Sequence, residues 1–272
     1  MNKIDSYKEE IREKINTSLH STDKVIITQF LTDNSNLPGR RANIELANAF
    51  AEVIADYKNN KSEIMWKYCL FLVSFTPDKA GTNDPKEFLP FCGAWGIGAI
   101  GATNPKYYQD SLSILKRLSS DSRWRMREAV AFGIQELLKK FPYKVLTALK
   151  DWIDEKNWLT YRAIVAGVAH PSVLIENEIG EIALEIHDKI FSKINSSNDL
   201  NSEEFKICKK GLSYTLSVIT SVIPEKGFEF MNRYINTGNK HILMIIRENL
   251  KKSRLKNKYS KEVQLLNQRI KE

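Results

Sequence analysis

Shifted by 82 residues, the segment 141–157 (FPYKVLTALKDWIDEKN) lies over 223–239 (IPEKGFEFMNRYINTGN). Pro142 meets Pro224, Lys144 meets Lys226, Ile153 meets Ile235 and Asn157 meets Asn239. Leu146/Phe228, Leu149/Met231, Trp152/Tyr234 and Asp154/Asn236 match in chemistry at the same offset. In both copies a proline stands where a helix opens, a position at which its missing N–H and fixed φ cost little. Helical repeats of two helices run about 40–47 residues, so this offset spans two of them. A chain built this way buries its core between neighbouring helical pairs rather than across a sheet.

The helical pattern is clearest just before the first copy. From Ser122 to Phe141, Met126, Val130, Ile134, Leu137 and Phe141 recur at steps of three and four, the spacing of one helix face. Asp121 stands where an N-cap belongs, and Pro142 opens the next helix, predicted over 142–154. Arg127-Glu128-Ala129 and Arg162-Ala163 lie 35 residues apart and read as corresponding points of successive first helices. Breaks fall at 31–41, 76–87, 195–203 and 236–240. Between them 42–57, 62–75, 106–119 and 203–222 carry helical apolar spacing. Ser6-x-x-Glu9 reads as a capping box, whereas Lys24 to Leu31 is rich in β-branched residues and ambiguous. None of the breaks has the length or polarity of a linker, so one continuous all-helical domain, 1–272, is expected.

Composition agrees with an array that has much surface per residue: 42% apolar, 27% charged and 10% aromatic. No apolar run approaches the ~20 residues of a membrane span, and the start MNKIDSYKEEIREKI lacks a secretory leader's apolar stretch. Cys69, Cys92 and Cys208 are odd in number and far apart, which fits reduced buried thiols in a cytoplasm. The net charge of +8 is local. Between Arg247 and Lys261 seven cations (Arg247, Lys251, Lys252, Arg254, Lys256, Lys258, Lys261) face one acid, Glu248.

Chemistry-bearing patterns are few. Gly96-x-Gly98-x-x-Gly101 spells the dinucleotide fingerprint, but Pro85, Pro90 and Gly93 stand where the preceding strand would be. Close helix packing around Trp95 is the better reading. His20, His170, His187 and His241 stand singly, without metal-ligand spacing. No nucleophile elbow is present, so neither cofactor nor metal nor catalytic residue is expected. Arg127 shares the apolar stripe of its helix, and a buried arginine needs partners. Arg127 and Arg162 are therefore read as inter-repeat contacts to a neighbouring turn, with Asp121 and Trp152 also structural. Trp124 and Trp158 are read as packing between repeats. Arg123 and Arg125 lie off the stripe and are read as free to meet phosphate. With Arg40 and Arg41 of the LPGRRAN turn (37–43) and Lys251, Lys252, Arg254 and Lys256, they form the candidate nucleic-acid-binding set. The alternative use of the terminal charge is a solvated capping face.

Residues 121–171 resemble the HEAT-like alkylpurine DNA glycosylase superfamily, through Asp121, Trp124, Arg127-Glu128-Ala129, Pro142, Leu146, Trp152, Arg162-Ala163 and His170-Pro171. The resemblance implies a HEAT/armadillo-type right-handed superhelical solenoid of antiparallel helix pairs with a concave face that cradles DNA. Active members excise cationic alkylated bases with a carboxylate flanked by tryptophans. Here Asp151, Asp154 and Glu155 fall near a helix end around Trp152 and Trp158, at a different spacing. The expectation is therefore a non-catalytic module that binds duplex DNA, with a protein-binding scaffold as the alternative.

Overall fold

The computed structural model describes residues 2–21 and 24–270, without the side chains of 18–21. His20 thus lies outside the described side chains. Every described element is helical. The α-helices are α1 (Lys3–Ser21), α2 (Val25–Asp33), α3 (Ile44–Asp56), α4 (Asn59–Val73), α5 (Phe88–Thr103), α6 (Tyr108–Leu118) and α7 (Trp124–Lys140). There follow α8 (Pro142–Trp152), α9 (Trp158–Val168), α10 (Asn177–Ser196), α11 (Glu203–Val222), α12 (Pro224–Ile235), α13 (Lys240–Leu250), α14 (Ser253–Lys256) and α15 (Ser260–Arg269). Lys24–Leu31, ambiguous by composition, belongs to a helix because Ile27 and Leu31 share a buried face one turn apart. Ser6 lies inside α1 rather than at its cap; Asn2 Oδ1 accepts from the Ile4 amide instead.

The helices group into two compact units that divide between Lys140 and Phe141. Only Phe141 separates α7 from α8, with no polar linker between them.

In residues 1–140, α1, α3, α5 and α7 run side by side in one direction, because their contacts climb together. Tyr7 and Arg12 meet Asn43 and Asp56. Gly96 and Thr103 meet Phe50 and Ala55, and Phe91, Gly98 and Gly101 meet Phe132, Gly133 and Leu137. α5 is apolar on all sides and buried from Phe88 to Ala102, as a helix enclosed by others must be. Its glycines allow that crowding: a Cβ on Gly98 would stand 2.3 Å from the Gly133 Cα. The fingerprint-like glycines are thus the interior of a buried helix, as the packing reading has it.

In residues 141–272 two layers form. Tyr143 and Lys150 of α8 meet Glu178 and Glu185 of α10. Glu181 and Asp188 of α10 meet Lys226 and Arg233 of α12, and Asn232 of α12 meets Arg269 of α15. These helices run parallel. So do α9, α11 and α13: Trp158, Phe205 and His241 touch near their starts, while Asn249 bonds the Ser217 amide and the Leu212 carbonyl further along. From α8 to α13 the helices alternate between layers in chain order, so one further pair, α10 and α11, lies between the two copies of the repeated segment. The 82-residue offset therefore holds two pairs. It holds locally as well. α9 and α13 begin and end 82 residues apart, and Asn157 and Asn239 each cap the amides two and three residues further on. The residues just before the caps, Lys156 and Gly238, both have positive φ, 50° and 65°.

Candidate functional site

The segment from Asp121 to Arg127 is where sequence reading and structure differ most. Arg123 and Arg125, expected to be free, are each only 2% exposed. The Arg123 guanidinium donates to both Asp121 oxygens (3.0 and 2.7 Å) and to the carbonyls of Phe75 and Ala80, both at 2.9 Å. Arg125 donates to Glu87 (2.9 Å), to the Gly39 carbonyl (2.5 Å) and to Asn83 Oδ1 (3.2 Å). Helical periodicity names the face that meets other helices; it does not say which loops enclose the first turn. Here the loops around 39 and 75–87 do so, and phosphate cannot reach either guanidinium. Within this knot Glu87 Oε1 and Arg125 Nε lack a protein partner.

Arg127 is buried, as its stripe position requires, but donates to the Asp121 and Ser122 carbonyls of the turn before its own helix (2.6 and 2.9 Å). Asp121 is no N-cap of α7; its carboxylate accepts from the Arg123 amide and guanidinium. Trp124, expected to pack, is 42% exposed, with the Arg125 guanidinium 4.4 Å from its ring centre. Arg162 is half-buried, its stem beside Gly211 of α11. Trp152 is buried, whereas Asp151, Asp154 and Glu155 are exposed, so these carboxylates and that indole form no common site.

The 37–43 turn gains a role that the sequence did not reveal. Asn83 Oδ1 accepts from the Gly39 amide, Arg125 holds the Gly39 carbonyl, and Asn43 caps α3 while its side-chain Nδ2 donates to the Asn34 carbonyl. Arg40 and Arg41 stand exposed on this fixed turn, Arg41 at 3.9 Å from Glu45. In the other unit Lys251, Arg254, Lys256 and Lys258 are exposed and Lys252 is half-buried. Leu255 anchors α14, and Glu248 pairs with Lys251 at 2.5 Å.

No group of three or more metal-ligating side chains occurs among the described residues, and no described helix is long and apolar enough to cross a membrane. His187 is buried against the Ala183 carbonyl and the Thr215 hydroxyl, and burial holds its pKa down at about 4. Cys69, Cys92 and Cys208 are buried free thiols, their pKa values raised by desolvation.

A groove of about 370 Å³ crosses α1, α3, α5 and α7. Its floor is made of alanines, Ala51, Ala55, Ala99 and Ala102, beside Trp95 and Asn48. Trp95 stacks on Phe132 at 4.3 Å and points its N–H at Glu136 (3.4 Å). The charges around it neutralise one another: Lys8 with Glu52, Arg12 with Asp56 and Lys139 with Glu136. Short side chains along parallel helices leave room for a main chain to approach, and the sequence signal for them was no more than an alanine-rich helix face.

No family model matches the chain, and no curated protein is significantly similar to it. Among solved structures it is similar to a designed armadillo repeat protein, YIII(Dq)4CqI, with 19% identity over 89% of this chain and 97% of that one, at a TM-score of 0.33.

Proposed function

We propose that the chain is a non-catalytic binding module, a HEAT-type right-handed solenoid of antiparallel helical pairs, whose residues 1–140 take an extended polypeptide segment in the alanine-floored groove. The observation that carries this reading is the groove itself: an apolar floor, one indole wall, an amide at Asn48, and ion pairs that leave no net charge to select a polyanion. Binding sites of this kind are concave and mostly apolar with a few convergent polar groups. The two-layer helical pairs of residues 141–272 support the repeat architecture, and three unbridged thiols fit a reducing, cytoplasmic setting. The test is selection from a random peptide library with the full chain, followed by Asn48→Trp, which fills the groove from its open side. Enriched peptides should lose binding in the variant while its melting midpoint stays within a few degrees. Failure to enrich any peptide, or enriched peptides indifferent to Asn48→Trp, would remove the groove from the account.

A second reading rests on the exposed cations at Lys251, Arg254, Lys256 and Lys258, which suit the phosphates of duplex DNA. With about four phosphates engaged, log affinity should fall with log salt at a slope near −3.6. Reversing Lys251, Lys252 and Arg254 to Glu should flatten the slope without unfolding, since these side chains carry little core. No binding at about 50 mM salt, where phosphate attraction is strong, leaves the peptide reading alone.

A further inference from the structure

The two copies of the repeated segment differ at one position where backbone geometry favours glycine in both. Gly238 occupies the left-handed turn before α13, with open space around it. Its counterpart before α9 is Lys156, in the same left-handed conformation, one that a side chain adopts only at a cost in strain. Lys156 borders a pocket of about 260 Å³ that it shares with Trp158, Tyr161, Lys193, Ser196, Ser197 and Asp199. The repeat thus keeps a strained lysine where a relaxed residue would serve the turn better.

We propose that this pocket binds a phosphomonoester carried on a flat aromatic ring. Charge sets it apart from the other grooves. In the groove between α10 and α12 the cations Lys226 and Arg233 are paired with Glu181 and Asp188, and in the alanine-floored groove Lys8 is paired with Glu52. In this pocket neither the Lys156 nor the Lys193 ammonium makes an ion pair among the described residues. Two unmatched cations around one small cavity favour a compact dianion over a single carboxylate. The hydroxyls sort by the protons they have left. Tyr161 donates to the Ile153 carbonyl and Ser196 to the Ser192 carbonyl. Ser197 Oγ accepts from the Asp199 amide, so its own proton remains to donate to a phosphoryl oxygen. The Trp158 indole is set edge-to-face against Tyr161 and Phe205, at 5.3 and 5.0 Å, and lines the pocket as a rigid apolar wall. The cavity is smaller than the roughly 300–1,000 Å³ of drug-sized sites, so it fits one ring and its charged end. Asp199 at the same pocket opposes an anion and sets a limit on affinity.

This inference does not depend on the groove in residues 1–140. Two sources share the chemistry, a phosphotyrosine side chain of a partner protein and a free aryl phosphate of small-molecule size. Calorimetric titration of the full chain with phenyl phosphate reads the shared chemistry; a phosphotyrosyl peptide and free phosphotyrosine then separate the sources. Phenyl phosphate should bind at submillimolar concentration and inorganic phosphate about tenfold more weakly, since it lacks the ring. Lys156→Gly should weaken phenyl phosphate about tenfold while melting no lower than the wild type, because glycine relaxes the turn. Asp199→Asn should tighten binding about twofold to fivefold, the range of an exposed charge pair. Absence of phenyl phosphate binding at millimolar concentration, equal binding of inorganic phosphate, or a Lys156→Gly variant that binds as the wild type does would overturn the proposal.

Discussion

The start of α7 and the starts of α9 and α13 are fixed in opposite ways. α9 and α13 each begin with a left-handed residue and one asparagine that caps two amides, all within five residues of chain. The start of α7 is held by Arg123 and Arg125, whose partners lie up to 86 residues away, at Gly39, Phe75, Ala80, Asn83 and Glu87. One device is local and repeats along the chain. The other closes loops with buried charge and occurs where the loops of residues 34–43 and 75–87 must be pinned. A stretch held by local signals should tolerate substitution in small steps, whereas a buried ionic knot should fail as a unit.

The largest effect is expected from Arg125→Met. It leaves Glu87, fully buried, without its cation, and removal of one partner of a buried pair costs roughly 3–5 kcal/mol. Chemical denaturation should show that loss, and hydrogen exchange should rise in the 34–43 and 76–87 loops. A loss under about 1 kcal/mol, the range of surface pairs, would mean that the knot adds little and that α7 is capped by other means.

Acid should reach the other unit through His187, which is buried between α10 and α11 with only neutral partners, the Ala183 carbonyl and the Thr215 hydroxyl. Its pKa is lowered by desolvation from 6.5 to about 4. Between those values the unfolded chain binds a proton that the folded chain refuses, so stability is intact above pH 6.5 and falls as pH drops toward 4. The loss is on the order of 3 kcal/mol. Exchange rates of α10 and α11 amides, followed from pH 7 to pH 4, check this; a flat profile would contradict the burial of a neutral imidazole.

This contrast also explains what could be read from the chain alone. The proline-opened helices, the 82-residue offset, the buried Arg127 and the glycine packing around Trp95 all follow from short-range patterns. Arg123, Arg125 and Trp124 were misplaced because their environments are made by loops far away in sequence, which no stripe encodes. The alanine floor of the groove was equally silent: alanine is the best helix former, and nothing in its spacing separates a docking surface from a well-made helix.

The smallest effects test the central claim, that one backbone unit recurs at 82 residues and carries different side chains. Exchanging the residues of the two left-handed turns isolates the backbone, since a Cβ at 238 meets nothing within 4 Å. Gly238→Lys should lower stability by about 1 kcal/mol, the cost of a side chain at positive φ. Lys156→Gly should raise it by about 0.5–1 kcal/mol, strain relief less the added entropy of the unfolded chain. Urea denaturation of the two variants and of the double exchange is the direct measurement. Shifts of opposite sign that nearly cancel in the double exchange are expected; shifts of the same sign, or a neutral Gly238→Lys, would show that the two turns are not one repeated unit.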